Sequence, residues 1–110
     1  MMKMLDFEKM SGLVPAVVQD ADTKEVLMLG FMNQDAYKKT LSSGWVTFWS
    51  RTRQELWTKG ETSGNTLQVV SVYTDCDNDS VLVVARLGGD GACCHTGQKS
   101  CFYTKEETAV

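Results

Sequence analysis

The chain reads as a β-rich α+β fold in which strands pack with one principal helix. Short runs of β-branched and aromatic residues recur between turn-forming residues. Only one segment carries a helix-start signal. The length of 110 residues is enough for one modest core and too little for two, so residues 1–110 are expected to form a single domain.

The elements follow in order. Leu13 to Gln19 is the first strand, with Pro15 marking a strand start or a sheet edge because it has no N–H to donate. Asp20 to Lys24 is a polar turn, and Val26 to Met32 returns as the second strand of a hairpin. Asn33 is an N-cap for a short helix through Asp35, Ala36, Tyr37 and Leu41 that stops near Ser43-Gly44. Trp45 to Trp49 is aromatic and β-branched, hence a strand. Leu67 to Tyr73 and Val81 to Leu87 are two more, joined by an acidic run. A glycine-rich loop, Gly88 to Gly91, then leads to Cys94, and Cys101-Phe102-Tyr103 is a last short strand.

Composition narrows the function. Hydrophobic residues make up 43% and charged residues 23%, as in an ordinary globular protein. A net charge of −3 argues against non-specific nucleic-acid binding, which needs a basic surface. No apolar stretch approaches a membrane span. Met1 to Asp6 lacks the apolar core and cleavage site of a signal peptide. A cytosolic location is therefore expected, where thiols stay reduced and four cysteines point to metal or catalysis before disulfides.

The chemistry-bearing residues cluster late. Asp75, Asp77 and Asp79 lie two apart, so in an extended chain they share one face and Cys76 takes the other. Three carboxylates suit magnesium, although a solvated acidic turn has the same sequence. A calcium-binding EF-hand loop is excluded, because Ser80 and Arg86 stand where it needs glycine and a bidentate glutamate. Cys93 and Cys94 are neighbours, and both reaching one ion would strain the backbone. Cys94 is taken as a ligand and Cys93 as a small buried residue. Cys76, Cys94 and Cys101 then make a zinc set with an open fourth position; the rival is a closed structural zinc recruiting Cys93 or His95. His95, the only histidine, stands beside Cys94 as a candidate general base. Arg51, Arg53, Lys59, Thr62, Ser63 and Asn65 mix cations, hydroxyls and glycine-flanked backbone in a way that suits phosphate. The same segment also fits a plain polar hairpin. Trp57 could stack on a base, but a tryptophan among strands is more often core.

These pieces, in this order, resemble the phosphoribosyl-AMP cyclohydrolase family of histidine biosynthesis. The resemblance runs from Gly12-Leu13-Val14-Pro15-Ala16-Val17-Val18-Gln19-Asp20 through Val26 to Asn33, Phe48 to Arg53 and Leu56 to Asn65. It continues through Asp75-Cys76-Asp77 with Asp79, then Cys94-His95-Thr96-Gly97 and Ser100-Cys101-Phe102. It implies an intertwined homodimer with zinc on Cys76 of one chain and Cys94 and Cys101 of the other, and magnesium on Asp75, Asp77 and Asp79. It also implies a small-molecule nucleotide substrate, 1-(5-phosphoribosyl)-AMP, whose adenine ring is opened at N1–C6 by a zinc-activated water. Members are often joined to a pyrophosphohydrolase domain that these residues do not contain, so ring opening alone is expected. Two other classes compete: a non-catalytic module in which zinc staples a dimer, and a zinc deaminase of nucleosides or polynucleotides. The deaminase lacks its His-x-Glu and Cys-x-x-Cys signature here.

Overall fold

The computed structural model describes residues 5–109, so most of the Met1–Asp6 stretch lies outside it. Two antiparallel strands, β1 (Val14–Asp20) and β2 (Val26–Met32), form the expected hairpin around the polar turn. Helix α1 (Gln34–Ser43) follows at once. Asn33 Oδ1 accepts from Ala36 N at 2.9 Å, and Gly44 ends the helix in the left-handed conformation with its N–H on Thr40 O. A second hairpin, β3 (Thr47–Ser50) and β4 (Glu55–Thr58), precedes the long antiparallel pair β5 (Leu67–Thr74) and β6 (Val81–Leu87). Among the described residues no helix is long and apolar enough to cross a membrane.

The main sheet runs β2-β1-β6-β5, with β6 parallel to β1 and every other pairing antiparallel. Alternation assigns the faces. Val14, Ala16 and Val18 of β1 and Val81, Val83 and Ala85 of β6 point into the core, where α1 and the β3–β4 hairpin cover the sheet. Phe48 is fully buried there, with Trp57 tilted against it at 5.1 Å between ring centroids. Trp57 thus packs one side on the core while it also lines the surface hollow beside Arg53 and Lys59. The helix is tied to the hairpin by Thr40, whose hydroxyl donates to Ala36 O at 2.8 Å and accepts from Thr47 N at 3.0 Å. Thr47 and Thr58 hydroxyls then pair across β3–β4 at 3.1 Å, so the buried polar atoms satisfy one another.

The β-rich α+β class and most strands match expectation, with three corrections. Pro15 stands near the start of β1, the first of its two expected places, and not at a sheet edge; parallel pairing with β6 begins only at Ala16, so the missing N–H is not needed. Trp45 makes only an isolated bridge to Gln68, and β3 begins at Thr47, because the helix cap at Gly44 must unwind first. Glu55–Thr58 is a strand that the sequence did not announce, being short and only half-buried. Cys101–Tyr103 is not a strand. Cys101 N does donate to Leu27 O, but the next carbonyl, Val26 O, is taken by the Ser100 hydroxyl, so no ladder propagates.

Gly30 sits on the core face of β2 under the Phe48 ring, where an added Cβ would stand 2.6 Å from a ring carbon. Phe48 cannot retreat from a close-packed core. Gly30→Val is expected to lower unfolding free energy by about 1–3 kcal/mol in urea denaturation, through overpacking.

Candidate functional site

The candidate residues gather at the two ends of the main sheet. At one end is the β5–β6 turn. Asp75, Asp77 and Asp79 each present an oxygen within 4.8 Å of the others, the only such cluster of acidic, histidine or cysteine ligand atoms among the described residues. They converge by a different route from the expected one. The segment is a tight turn, not extended, with Asn78 at φ 59° in the left-handed region that asparagine tolerates. Asp75 organises it: its carboxylate accepts from Asp79 N at 2.9 Å, Ser80 N at 3.2 Å and Ser80 Oγ at 2.7 Å. The Ser80 hydroxyl, first among these donors, holds Asp75 well below the usual carboxylate range. The neighbouring Asp75 carboxyl pushes Asp79 up. Lys9 Nζ reaches Asp77 and Asp79 at 3.2 Å each, an internal cation on the cluster. Cys76 is exposed in the same turn.

At the other end, the chain leaves β6 and folds back under the start of β2. Cys93 N donates to Lys99 O at 3.0 Å and Cys94 N to Gln98 O at 3.1 Å, which closes a small loop. Cys101 N then joins Leu27 O at 2.7 Å. Cys93, Cys94 and Cys101 lie close enough to perturb one another's titration. Their environments separate them. Cys93 is 1% exposed in the core, and burial pushes its thiol up to about 11. Thr96 Oγ1 donates to Cys94 Sγ at 3.0 Å and holds that thiol below its ordinary value, with Lys59 assisting from a distance. Burial raises the Cys101 thiol, and the adjacent Cys94 adds to the effect. Of the three, only Cys94 is shifted towards the thiolate that a soft metal takes, while Cys93 is a neutral core residue.

A pocket of about 290 Å³ opens beside this loop, lined by Lys59, Ser63 and Asn65 together with Asp90, Cys94 and His95. Gly60 makes the turn that brings these residues in: at φ 83°, a Cβ there would stand 2.5 Å from Thr66 N. Asn65 Oδ1 accepts from Asp90 N at 2.8 Å, which ties the 60–65 loop to the 88–91 loop. An adjoining hollow of about 220 Å³ holds Arg53 and Thr62 and shares Lys59 and Ser63 with the first. Arg53 is paired with Glu55 at 3.5 Å. Arg51 is set apart, with its guanidinium 4.0 Å above the Phe31 ring. The structure thus brings Lys59, Ser63, Asn65, Cys94 and His95 around one cavity, places Arg53 and Thr62 beside it, sets Cys101 next to Cys94 but outside the lining, and leaves Arg51, Cys76 and the aspartates elsewhere.

Sequence reasoning passed over three contributors. Thr96 was read only as part of a motif, yet its hydroxyl is the main influence on Cys94; the Cys-x-Thr spacing was the available signal. Asp20 and Lys99, which clamp the thiol loop to the β1–β2 turn at 2.7 Å, are 79 residues apart and carry no joint signal.

Comparison with known proteins gives the family. The profile described as phosphoribosyl-AMP cyclohydrolase matches residues 28–103. A protein of that name from Desulfatibacillum aliphaticivorans is 58% identical over 100 residues, 90% of this chain and 78% of the relative. The histidine biosynthesis bifunctional proteins HisIE of Bacteroides thetaiotaomicron and Escherichia coli K12 are 58% and 61% identical over 106 and 98 residues. Those matches cover 96% and 89% of this chain but 51% and 47% of the relatives, so the chain spans about half the length of the bifunctional proteins.

Thiolate, not thiol, is the nucleophile towards alkylating reagents. In chelator-treated protein at pH 8, a thiol titrating at about 11 is ionised in roughly one molecule per thousand. Cys93 is therefore expected to be the last of the four cysteines modified by iodoacetamide, with Cys94 well ahead, as peptide mass mapping over time would show.

Proposed function

The chain belongs to the phosphoribosyl-AMP cyclohydrolase family, and from that premise we propose that it opens the adenine ring of 1-(5-phosphoribosyl)-AMP at the N1–C6 bond, giving the formimino-AICAR ribonucleotide of histidine biosynthesis. The observation that carries this reading is the convergence of Cys94 and His95 with Lys59, Ser63 and Asn65 on one cavity. In the net reaction one water adds across N1–C6. Its oxygen ends on C6, the bonding pair leaves with N1, and a proton ends on N1. The phosphoribosyl group on N1 makes C6 electron-poor and susceptible.

The residues divide this work. His95, exposed at the cavity rim, is assigned to take the proton from the attacking water and return it towards N1. Lys59 and Ser63, shared by both hollows, are assigned to one phosphate, and Arg53 with Thr62 to the other. Asn65 holds the cavity wall through Asp90 and offers its amide to the ribose. Arg51 is further removed, on Phe31. The depressed Cys94 thiol and its neighbour Cys101 fit zinc, while the three aspartates offer the oxygen set that magnesium takes. Zinc in such a set supplies the Lewis acidity that makes a water nucleophilic near neutral pH. The reaction is assigned to the cytosol, where the thiols stay reduced.

The third zinc ligand implies a dimer. Cys76 precedes β6 and the other two thiols follow it. Seven residues of strand, Val81–Leu87, put about 20 Å between them at ~3.3 Å per residue. One chain cannot close that gap around a single ion, which supports Cys76 coming from a partner copy. The outer sheet face supports the same assembly. Leu29 and Tyr73 are 45% and 57% exposed, and with Val17 and Leu82 they line an apolar groove of about 440 Å³ that runs to Asp75 and Ser80. The rival reading, a closed zinc that only staples a dimer, needs Cys93 or His95 as fourth ligand, and the core burial of Cys93 speaks against the first.

Purified protein given phosphoribosyl-AMP should show the absorbance change of ring opening, and a chelator should abolish it. Cys76→Ala, Cys94→Ala and Cys101→Ala should each lose turnover and zinc, whereas Cys93→Ala should keep both; zinc loss in Cys93→Ala alone would reverse the ligand assignment.

Sharing of the site has its own test. Cys76→Ala and Cys101→Ala proteins, unfolded together and refolded, form mixed dimers in which one site carries both lesions and the other none. Half the dimers are mixed and half their sites intact, so about a quarter of wild-type activity should return. No recovery, with exchange confirmed by mass, would refute a shared site.

A further inference from the structure

The loop that carries Cys94 and Cys101 has no helix or strand of its own, and Cys101 is an exposed residue. Its own hydrogen bonds, Cys93 N to Lys99 O and Cys94 N to Gln98 O, close the loop, and contacts outside it fix where it sits. Lys99 lies between Cys94 and Cys101 and makes its strongest contact outward. Its Nζ donates to Asp20 Oδ2 at 2.7 Å and to Glu25 Oε1 at 2.9 Å, at the tip of the β1–β2 hairpin. Asp20 is no flexible surface carboxylate. Its side chain is 8% exposed, and it is already fixed by Asp22 N at 3.0 Å and the Thr23 hydroxyl at 3.1 Å. Lys99 is also the residue whose carbonyl receives Cys93 N, next to the Gln98 carbonyl that receives Cys94 N. One residue therefore anchors both arms of the loop to a rigid, buried point.

We propose that Lys99 is a positioning residue for the thiol pair, acting through its ion pair with buried Asp20 to hold Cys94 and Cys101 at ligand spacing. The ammonium touches neither the cavity nor the thiols. Its effect passes through backbone: Asp20 fixes Lys99, and Lys99 fixes the two loop arms that carry the cysteines. Groups outside the ligand set that hold ligands in place commonly govern metal affinity. The inference rests on the reading of Cys94 and Cys101 as zinc ligands.

The test is a zinc titration against a chromophoric chelator, with the melting temperature of the zinc-free protein measured in parallel. Removing Lys99 alone strands a buried charge, so the double variant Asp20→Asn/Lys99→Met is the decisive one. It is expected to fold and to bind zinc at least about tenfold more weakly. Lys99→Met should weaken zinc to a similar extent, and Lys99→Arg, which can reach the same carboxylate, should restore it. Wild-type zinc affinity in the double variant overturns the proposal, even if its melting temperature falls, because the ion pair would then be only structural. If Cys101→Ala retains wild-type zinc affinity, the ligand reading fails and the proposal falls with it. If Cys101→Ala loses zinc while the double variant keeps it, the ligand reading stands and the proposal alone is refuted.

Discussion

The parallel pairing of β6 with β1 is the constraint on which the rest of this molecule depends. It inserts the last strand between β1 and β5 and so makes β1, the strand with the proline, an interior one. It also fixes direction. Because β6 runs alongside β1, the turn before it sits where β1 begins and the loop after it sits where β1 ends. The acidic turn and the thiol loop are thereby sent to opposite ends of one sheet.

The thiol end is built from loops, and loops gain order from contacts outside themselves. Three ties are visible. Asn65 joins the glycine turn to the loop after β6, Cys101 and Ser100 join the terminal arm to the start of β2, and Lys99 joins the loop to buried Asp20. Each replaces a secondary-structure ladder with a few specific hydrogen bonds. Local surroundings then shift three neighbouring cysteines differently without any change in residue type. Cys93 is buried and neutral, Cys94 has a hydroxyl on its sulfur, and Cys101 is raised by partial burial and by its neighbour.

The sheet's two faces differ in how they are covered. The inner face is saturated by Phe48, Leu27, Met32 and the valines of β1 and β6. Its tightness is local and steric, as at Gly30 under the Phe48 ring. The outer face exposes Leu29 and Tyr73 among the described residues, and its apolar groove reaches the acidic turn that bears Cys76.

What the sequence by itself determined is whatever depends on near neighbours. Apolar and β-branched runs between turn-forming residues placed Val26–Met32 and Val81–Leu87 to the residue, and Asn33 and Gly44 bracketed the helix because capping is a contact over three or four positions. The expectation that Cys93 is a small buried residue holds, at 1% exposure, although Cys94 beside it is also buried at 8%. The convergence of the three aspartates was expected for an extended chain, yet a turn produces it, because Asp75 can accept from Ser80 only if the chain folds back. Only the tertiary structure decided that β4 pairs, that Arg51 stands apart from Lys59, and that Lys99 meets Asp20. These depend on residues brought together across the sequence, where the order of strands, and not any local pattern, sets which groups meet.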